Sequence, residues 1–148
     1  MRGLCLILGK EEFVDELEFG NKESFLELSP YYNSSNIVIG HLKYSSLIHY
    51  WLSTKYEAVN NSLYSFKTPE SVISFCKKRF GFKDFDEIDS KTIVSSVIIN
   101  LRQNKDIKDM LMSTSGYHLI FNGVGYLAEE NRYGRLLEHI RDKYGQEL

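Results

Sequence analysis

The chain has 148 residues, of which 43% are apolar and 26% charged, with two prolines and a formal net charge of -2. A chain of this size fits one domain with a real core, and the composition excludes a disordered or low-complexity protein. So small a net charge supplies no global field for nucleic acid and leaves only a local basic groove for that role.

No apolar run is long enough to span a membrane. Residues 4–8 are short and run into Glu11 and Glu12, unlike a secretory leader, so a cytoplasmic protein without membrane partners is expected. Abundant Tyr, Phe, Lys, Asn, Ser and Ile suits an AT-rich genome, such as that of a phage or a low-GC bacterium. Cys5 and Cys76 sit in apolar surroundings, which fits buried thiols rather than a disulfide or metal pair. His41, His118 and His139 show no metal-ligand spacing, and no cofactor is expected.

In chain order, residues 2–8 alternate weakly and predict a short strand. Phe13, Leu17 and Phe19, set among acidic residues, predict either a helical turn or an edge strand. Ile37-Val38-Ile39 is β-branched and ends at Gly40, giving a strand and a turn. Ser45 or Ser46 caps a helix to about Val59, with Leu47, Tyr50, Trp51, Thr54 and Ala58 inward. Thr68-Pro69-Glu70 is a strong helix start: a threonine cap, a proline in the first turn, and an acid near the positive end. Val72, Ile73, Phe75 and Cys76 follow, and Gly81 stops that helix. Residues 84–90 form an acidic connector.

Ile93, Val94, Val97, Ile98 and Leu101 are β-branched but helically spaced, and predict a buried helix over 91–103. Asn104 caps the next helix, with Ile107, Met110 and Leu111 inward. Residues 117–121 are strand-like, and Gly123 and Gly125 mark a turn. From Asn131, the positions Tyr133, Leu136, Leu137, Ile140 and Tyr144 trace one face of a closing helix. The sum is a single α+β domain over residues 1–148, mainly helical with a small sheet. Ile98, Leu101, Leu111, Leu136 and Ile140 are expected in one core.

Two distant segments carry a further signal. One is Tyr44-Ser-Ser-Leu-Ile-His49-Tyr50-Trp-Leu-Ser-Thr-Lys55-Tyr56. The other is Asn131-Arg132-Tyr-Gly134-Arg-Leu136-Leu137-Glu-His-Ile-Arg141. They resemble the stretches W-x-S-x-E-H-Y-x-x-A-x-K-F and N-x-L-G-x-L-L-M-x-x-R of the NADAR (YbiA-like) family. Residues 101–114 resemble that family's K-F-x-Q-N-x-x-L-x-x-x-L-L-x-T stretch, and Leu119-Ile120 the strand after it. The resemblance covers residues 25–144 and implies a divergent member with a NADAR-like fold.

The resemblance also implies N-glycosidic chemistry, on riboflavin-pathway phosphates or on ADP-ribose attached to guanine in nucleic acid. Such cleavage needs a carboxylate to activate water or stabilise an oxocarbenium-like centre, and a flat aromatic to hold the base. His49, Tyr50, Lys55, Asn131, Arg132, Gly134 and Arg141 match the family. The family's active-site Glu falls on Ile48, which can neither take a proton nor stabilise a cation. Its aromatic, usually Trp, falls near Phe85, which offers less stacking area. Residues 121–130 form a shorter loop without the family's Asp or Trp-Gly, so Glu129 or Glu130 would have to replace the lost acid.

Each of these residues also has a plain structural reading. His49 is a pocket residue or a hydrogen-bonded core histidine. Lys55 is a phosphate contact or a solvated charge. Asn131 and Arg132 form an anion site at a helix start, or Asn131 is a simple cap. Arg141 pairs with Glu138 or Asp142. Glu129 and Glu130 are acids or solvated loop charges, and Lys77-Lys78-Arg79 is a phosphate contact or a solvated helix end. The expected function is a degenerate NADAR-like domain that recognises ADP-ribose, a related nucleotide or a protein partner without glycosidase activity. The alternatives are an active N-glycosidase, with nucleic acid only as a modified substrate, and a phage or bacterial protein-binding accessory factor.

Overall fold

The computed structural model describes residues 2–7, 10–20, 25–33 and 36–148. Its strands are β1 (Arg2–Ile7), β2 (Lys10–Gly20), β3 (Ile37–Ile39), β4 (Leu42–Tyr44) and β5 (His118–Asn122). Its helices are α1 (Leu47–Lys55), α2 (Glu57–Asn61), α3 (Pro69–Phe80), α4 (Ser90–Gln103), α5 (Lys105–Ser113) and α6 (Arg132–Tyr144). The architecture is α+β: a three-stranded sheet in the order β1-β2-β5, a separate β3-β4 hairpin, and helices between. Among the described residues, no helix is long and apolar enough to cross a membrane.

β2 is neither a helical turn nor a simple edge strand. Its first half, residues 10–15, pairs antiparallel with β1. Its second half, residues 16–20, pairs parallel with β5. The acidic side chains suggest an edge, but strand pairing is decided by partners far along the chain. Phe19 lies opposite Phe121 in the parallel ladder, their ring centroids 5.4 Å apart.

Two amide side chains close sheet edges. Gln103 accepts from the Val38 N–H at 2.8 Å and donates to the Val38 carbonyl at 2.7 Å. Asn131 accepts from the Phe121 N–H at 2.9 Å and donates to the Leu119 carbonyl at 2.8 Å. Each amide supplies the donor and acceptor that a neighbouring strand would supply, which protects the edge.

Local signals set the helix ends. Ser46 caps α1 by accepting from the His49 N–H at 3.2 Å. Thr68 and Ser71 form a reciprocal capping box at α3, with Pro69 first in the helix and Gly81 closing it at φ 70°. Asn104 sits before α5 but does not cap it; its amide donates instead to Asn100 Oδ1 at 2.8 Å.

The helix expected to reach Val59 breaks at Tyr56, whose backbone is extended, and α2 follows. The break lets the Tyr56 ring stack flat on Phe80, with centroids 4.3 Å apart. Thr54, expected inward, is exposed, while Ile48, His49, Leu52 and Ser53 are buried. α1 runs through the middle of the domain, so a one-sided stripe is the wrong template for it. Trp51, fully buried, donates its indole N–H to Ser96 Oγ at 2.7 Å and meets Phe85 and Tyr133 edge-on.

Leu101, Leu111 and Ile140 are buried in the core, but Ile98 and Leu136 are only half-buried and pack against its margin. α6 turns Tyr133, Leu137 and Ile140 inward, which leaves Leu136 at the edge of the buried stripe. Cys76 is buried and its thiol is pushed up to about 11 by that burial. The side chain of Cys5 lies outside the described residues.

Candidate functional site

The segment before the hairpin is shaped by its own backbone. Residues Leu26–Leu28 form a 3-10 turn. Ser29 Oγ then accepts from the Tyr31 N–H at 3.1 Å, and the Tyr32 N–H donates to the Ser29 carbonyl at 3.1 Å. The Ile48 N–H reaches the Pro30 carbonyl at 3.4 Å, tying the segment to the start of α1. Asn33 donates its side-chain amide to the Lys67 carbonyl at 2.6 Å, just ahead of α3.

These ties hold Tyr31, Tyr32 and Asn33 along one wall of a cavity of about 420 Å³. Glu70, in the first turn of α3, forms another part of the lining, and Phe121, Gly123 and Val124 complete it. A Cβ on Gly123 would lie 2.5 Å from the Phe121 ring, so glycine lets the turn fold back over that ring. The turn is anchored by Asp84, which accepts from the Phe85 N–H at 2.7 Å and the Tyr126 N–H at 2.8 Å. Gly125 has φ +78°, and a Cβ there would meet Asp84 Oδ2 at 2.8 Å. Both its conformation and its space therefore require glycine.

The electrostatics of the cavity are acidic. Burial raises the pKa of the Tyr31 phenol, and the charges of Asp84 and Glu70 raise it further. The phenol therefore stays protonated and able to donate. Among the described residues, no cationic side chain lines the cavity. Aromatic walls with one carboxylate and a neutral phenol suit a flat heterocycle carrying N–H or O–H donors.

The residues expected to form the site are not gathered there. His49 is buried; its Nε2 donates to the Phe66 carbonyl at 2.9 Å and its Nδ1 faces Ser46 Oγ at 2.7 Å. A carbonyl can only accept, so the proton sits on Nε2 and Nδ1 receives the serine hydroxyl. Burial lowers the His49 pKa, opposed by the Phe66 bond and by Glu70. Lys55 lies 3.7 Å from Glu87. The Glu87 pKa is lowered, first by the hydrogen bond from the Lys83 N–H, with Lys55 a lesser contributor.

Phe85 is buried between Trp51 and Phe82, at 5.7 and 5.2 Å, so its faces serve the core rather than a base. Arg132 contacts Glu129 at 3.3 Å and Glu130 at 3.4 Å and lies over the Tyr126 ring at 4.4 Å. Neither Glu129 nor Glu130 lines the cavity. Glu130 and Asn131 both have φ near +54°, and Asn131 makes no side-chain cap; its amide is spent on β5. Arg141 pairs with Asp142 at 2.8 Å, and its buried Nη1 also donates to the Thr114 and Tyr117 carbonyls, each at 2.9 Å. His118 pairs with Glu138. Among the described residues, no group of three His, Cys, Asp or Glu side chains is placed to hold a metal.

Sequence reasoning missed Tyr31, Tyr32 and Glu70 as a site. The available signal was a pair of adjacent tyrosines after a proline in a stretch with no strand or helix pattern, since loops held on a scaffold carry binding residues. A second hollow, an open groove of about 570 Å³, has His41, Lys43, Tyr64 and Lys67 in its lining. The bond from Asn33 to the Lys67 carbonyl links the cavity rim to this groove. Compared with protein-family models, curated proteins and solved structures, the chain has no significant match.

Proposed function

We propose that this chain is a binding domain of NADAR type that holds the base or nucleoside part of a nucleotide-like ligand in the Tyr31–Glu70 cavity and does not cleave it. What carries the reading is the cavity's lining: Tyr31, Tyr32 and Phe121 beside the carboxylate of Glu70. The NADAR assignment is supported by where the two resembling segments lie. α1 reaches the cavity wall through the bond between Ile48 and Pro30, and α6 reaches it through Asn131 and Phe121. The ligand is narrowed by the lining, because among the described residues phosphates of ADP-ribose would find no charge partner inside. Lys55 and Arg132, the expected phosphate contacts, already have carboxylate partners.

The test is a thermal-shift and calorimetric titration with free nucleosides, riboflavin and ADP-ribose. A nucleoside or riboflavin is expected to raise the melting temperature, with ADP-ribose binding no more tightly. Ligand at about 100 times its dissociation constant adds roughly 2.7 kcal/mol of stability. Tyr32→Ala and Glu70→Gln are expected to remove the shift while leaving the fold intact. Failure of every compound to bind at millimolar concentration would sink the proposal.

One observation favours a hydrolytic second reading. Glu70 places a carboxylate in the cavity lining, and general acid or base work needs such a group within hydrogen-bond reach of the reacting atom. In that reading Glu70, rather than Glu129 or Glu130, replaces the family's lost acid.

A further inference from the structure

The groove beside the cavity has a composition of its own. Its lining includes His41, Lys43 and Lys67 and, among the described residues, contains no carboxylate. Neither Lys43 nor Lys67 has an ion-pair partner among the described residues. Tyr64 stands at the same groove with its side chain 89% exposed. In a chain with a net charge of -2, these groups form a local patch of opposite sign.

The groove is also built rather than incidental. The Tyr44 hydroxyl donates to Asn60 Oδ1 at 3.1 Å, fixing the hairpin to α2. His49 Nε2 holds the Phe66 carbonyl, fixing the chain ahead of α3 to α1. Gln103 pins the outer edge of β3. The walls are thus preset, and the cations and Tyr64 project from them into solvent.

We infer that this groove binds single-stranded nucleic acid, with Lys43 and Lys67 on its phosphates and a base stacked on Tyr64. The pairing of unneutralised cations with an exposed aromatic is what such a strand requires: the cations follow the backbone and the ring accepts any base. A duplex hides its base faces and has no use for Tyr64. A peptide of acidic residues would use the lysines but gain nothing comparable from the ring. The inference does not depend on what the Tyr31–Glu70 cavity holds.

The experiment is fluorescence anisotropy of a labelled oligothymidylate of about twelve nucleotides, long enough to cover one such groove, titrated with the intact protein. Binding is expected to be weak, with a dissociation constant of about 10⁻⁴–10⁻⁶ M. Its log–log salt slope should lie near -1.4 for two phosphate contacts at about -0.7 each. Combined Lys43→Glu and Lys67→Glu should flatten that slope and weaken binding more than about tenfold. Tyr64→Ala should weaken it about five- to hundredfold at an unchanged slope, since stacking carries no net charge. All three side chains are exposed, so these variants keep the fold, and circular dichroism checks that they do. Glu70→Gln, which belongs to the cavity, should leave oligonucleotide binding intact.

Absence of binding at low salt overturns the inference. So does binding that survives the double lysine variant. If inorganic polyphosphate competes as well as the oligonucleotide and Tyr64→Ala changes nothing, the groove is a plain anion surface and the nucleic-acid assignment falls.

Discussion

Asn131 offers its side-chain amide to the edge of β5 as a strand would, accepting from the Phe121 N–H at 2.9 Å while donating to the Leu119 carbonyl. Phe121 lines the cavity, so this contact also sets the position of a cavity wall. Asn131 adopts φ 53°, a conformation that asparagine tolerates better than most residues. Four residues into the same motif, Gly134 allows α6 to press against the strand: a Cβ there would lie 2.2 Å from the Leu119 carbonyl oxygen. The asparagine and glycine of the N-x-x-G motif thus dock a helix on a strand.

Asn131→Ala should therefore cost stability rather than affinity for anions. It leaves a strand donor and acceptor unpaired, each worth about 1–3 kcal/mol when buried, and puts alanine at a left-handed position. Gly134→Ala should be at least as damaging, because the obstacle is backbone and overpacking costs about 1–3 kcal/mol or more. Arg132→Ala, which removes only partly exposed ion pairs, should change stability by no more than about 1 kcal/mol. Urea denaturation of the three variants measures this order, and a large loss in Arg132→Ala with little in Asn131→Ala would contradict it.

The core makes a matched pair of predictions. Leu111 is fully buried and Leu136 only half so. Leu111→Ala should cost about 2–5 kcal/mol, and Leu136→Ala clearly less, because part of the deleted surface is already in water. Equal losses would mean that α6 buries a wider stripe than described.

Sequence patterns reached the features whose causes are local. Thr68, Pro69 and Gly81 bracket α3 because capping and left-handed closure involve residues only a few positions apart. β2 was harder, since its second half is defined by Phe19 and its neighbours meeting β5 across most of the chain. Glu70 is hard to read from sequence for a related reason. An acid in a first helical turn already has a sufficient local explanation, and its second role depends on Tyr31 and Phe121 arriving from elsewhere. His49 and Phe85 sit in the family-like positions, but the one satisfies Ser46 and Phe66 and the other fills the space beside Trp51.

His49 gives the stability a predictable pH dependence. Its folded pKa is lowered, chiefly by burial, so the unfolded chain takes up a proton more readily than the native one. Its contribution is fully present above the unfolded value of about 6.5 and declines as pH falls below that value towards the lower folded pKa. Protonation would place a second donor on Nδ1, against a serine hydroxyl already committed to it. Stability of the wild type should thus fall as pH drops below about 6.5, the value of the free imidazole. In His49→Gln that part of the slope should be missing. An unchanged slope in the variant would assign the pH dependence to other groups.

The catalytic prediction turns on Ile48. Its side chain is fully buried, in a core that includes Trp51 and Tyr133. Removing one electrostatic stabiliser typically costs about 10²–10³ in rate, and an isoleucine side chain supplies no charge in its place. No release of ADP-ribose from modified guanine, or of ribose phosphate from flavin precursors, is therefore expected from the unmodified protein. Ile48→Glu should not restore it. A carboxylate at a position with no solvent access must either be neutralised by a raised pKa or destabilise the fold by several kcal/mol. The variant should show a lower melting temperature that recovers partly as pH falls and the acid is neutralised. Turnover by the wild type that vanishes in Glu70→Gln but persists in Glu129→Gln and Glu130→Gln would reverse the reading. It would place the working acid at the start of α3, and the cavity would then be an active site.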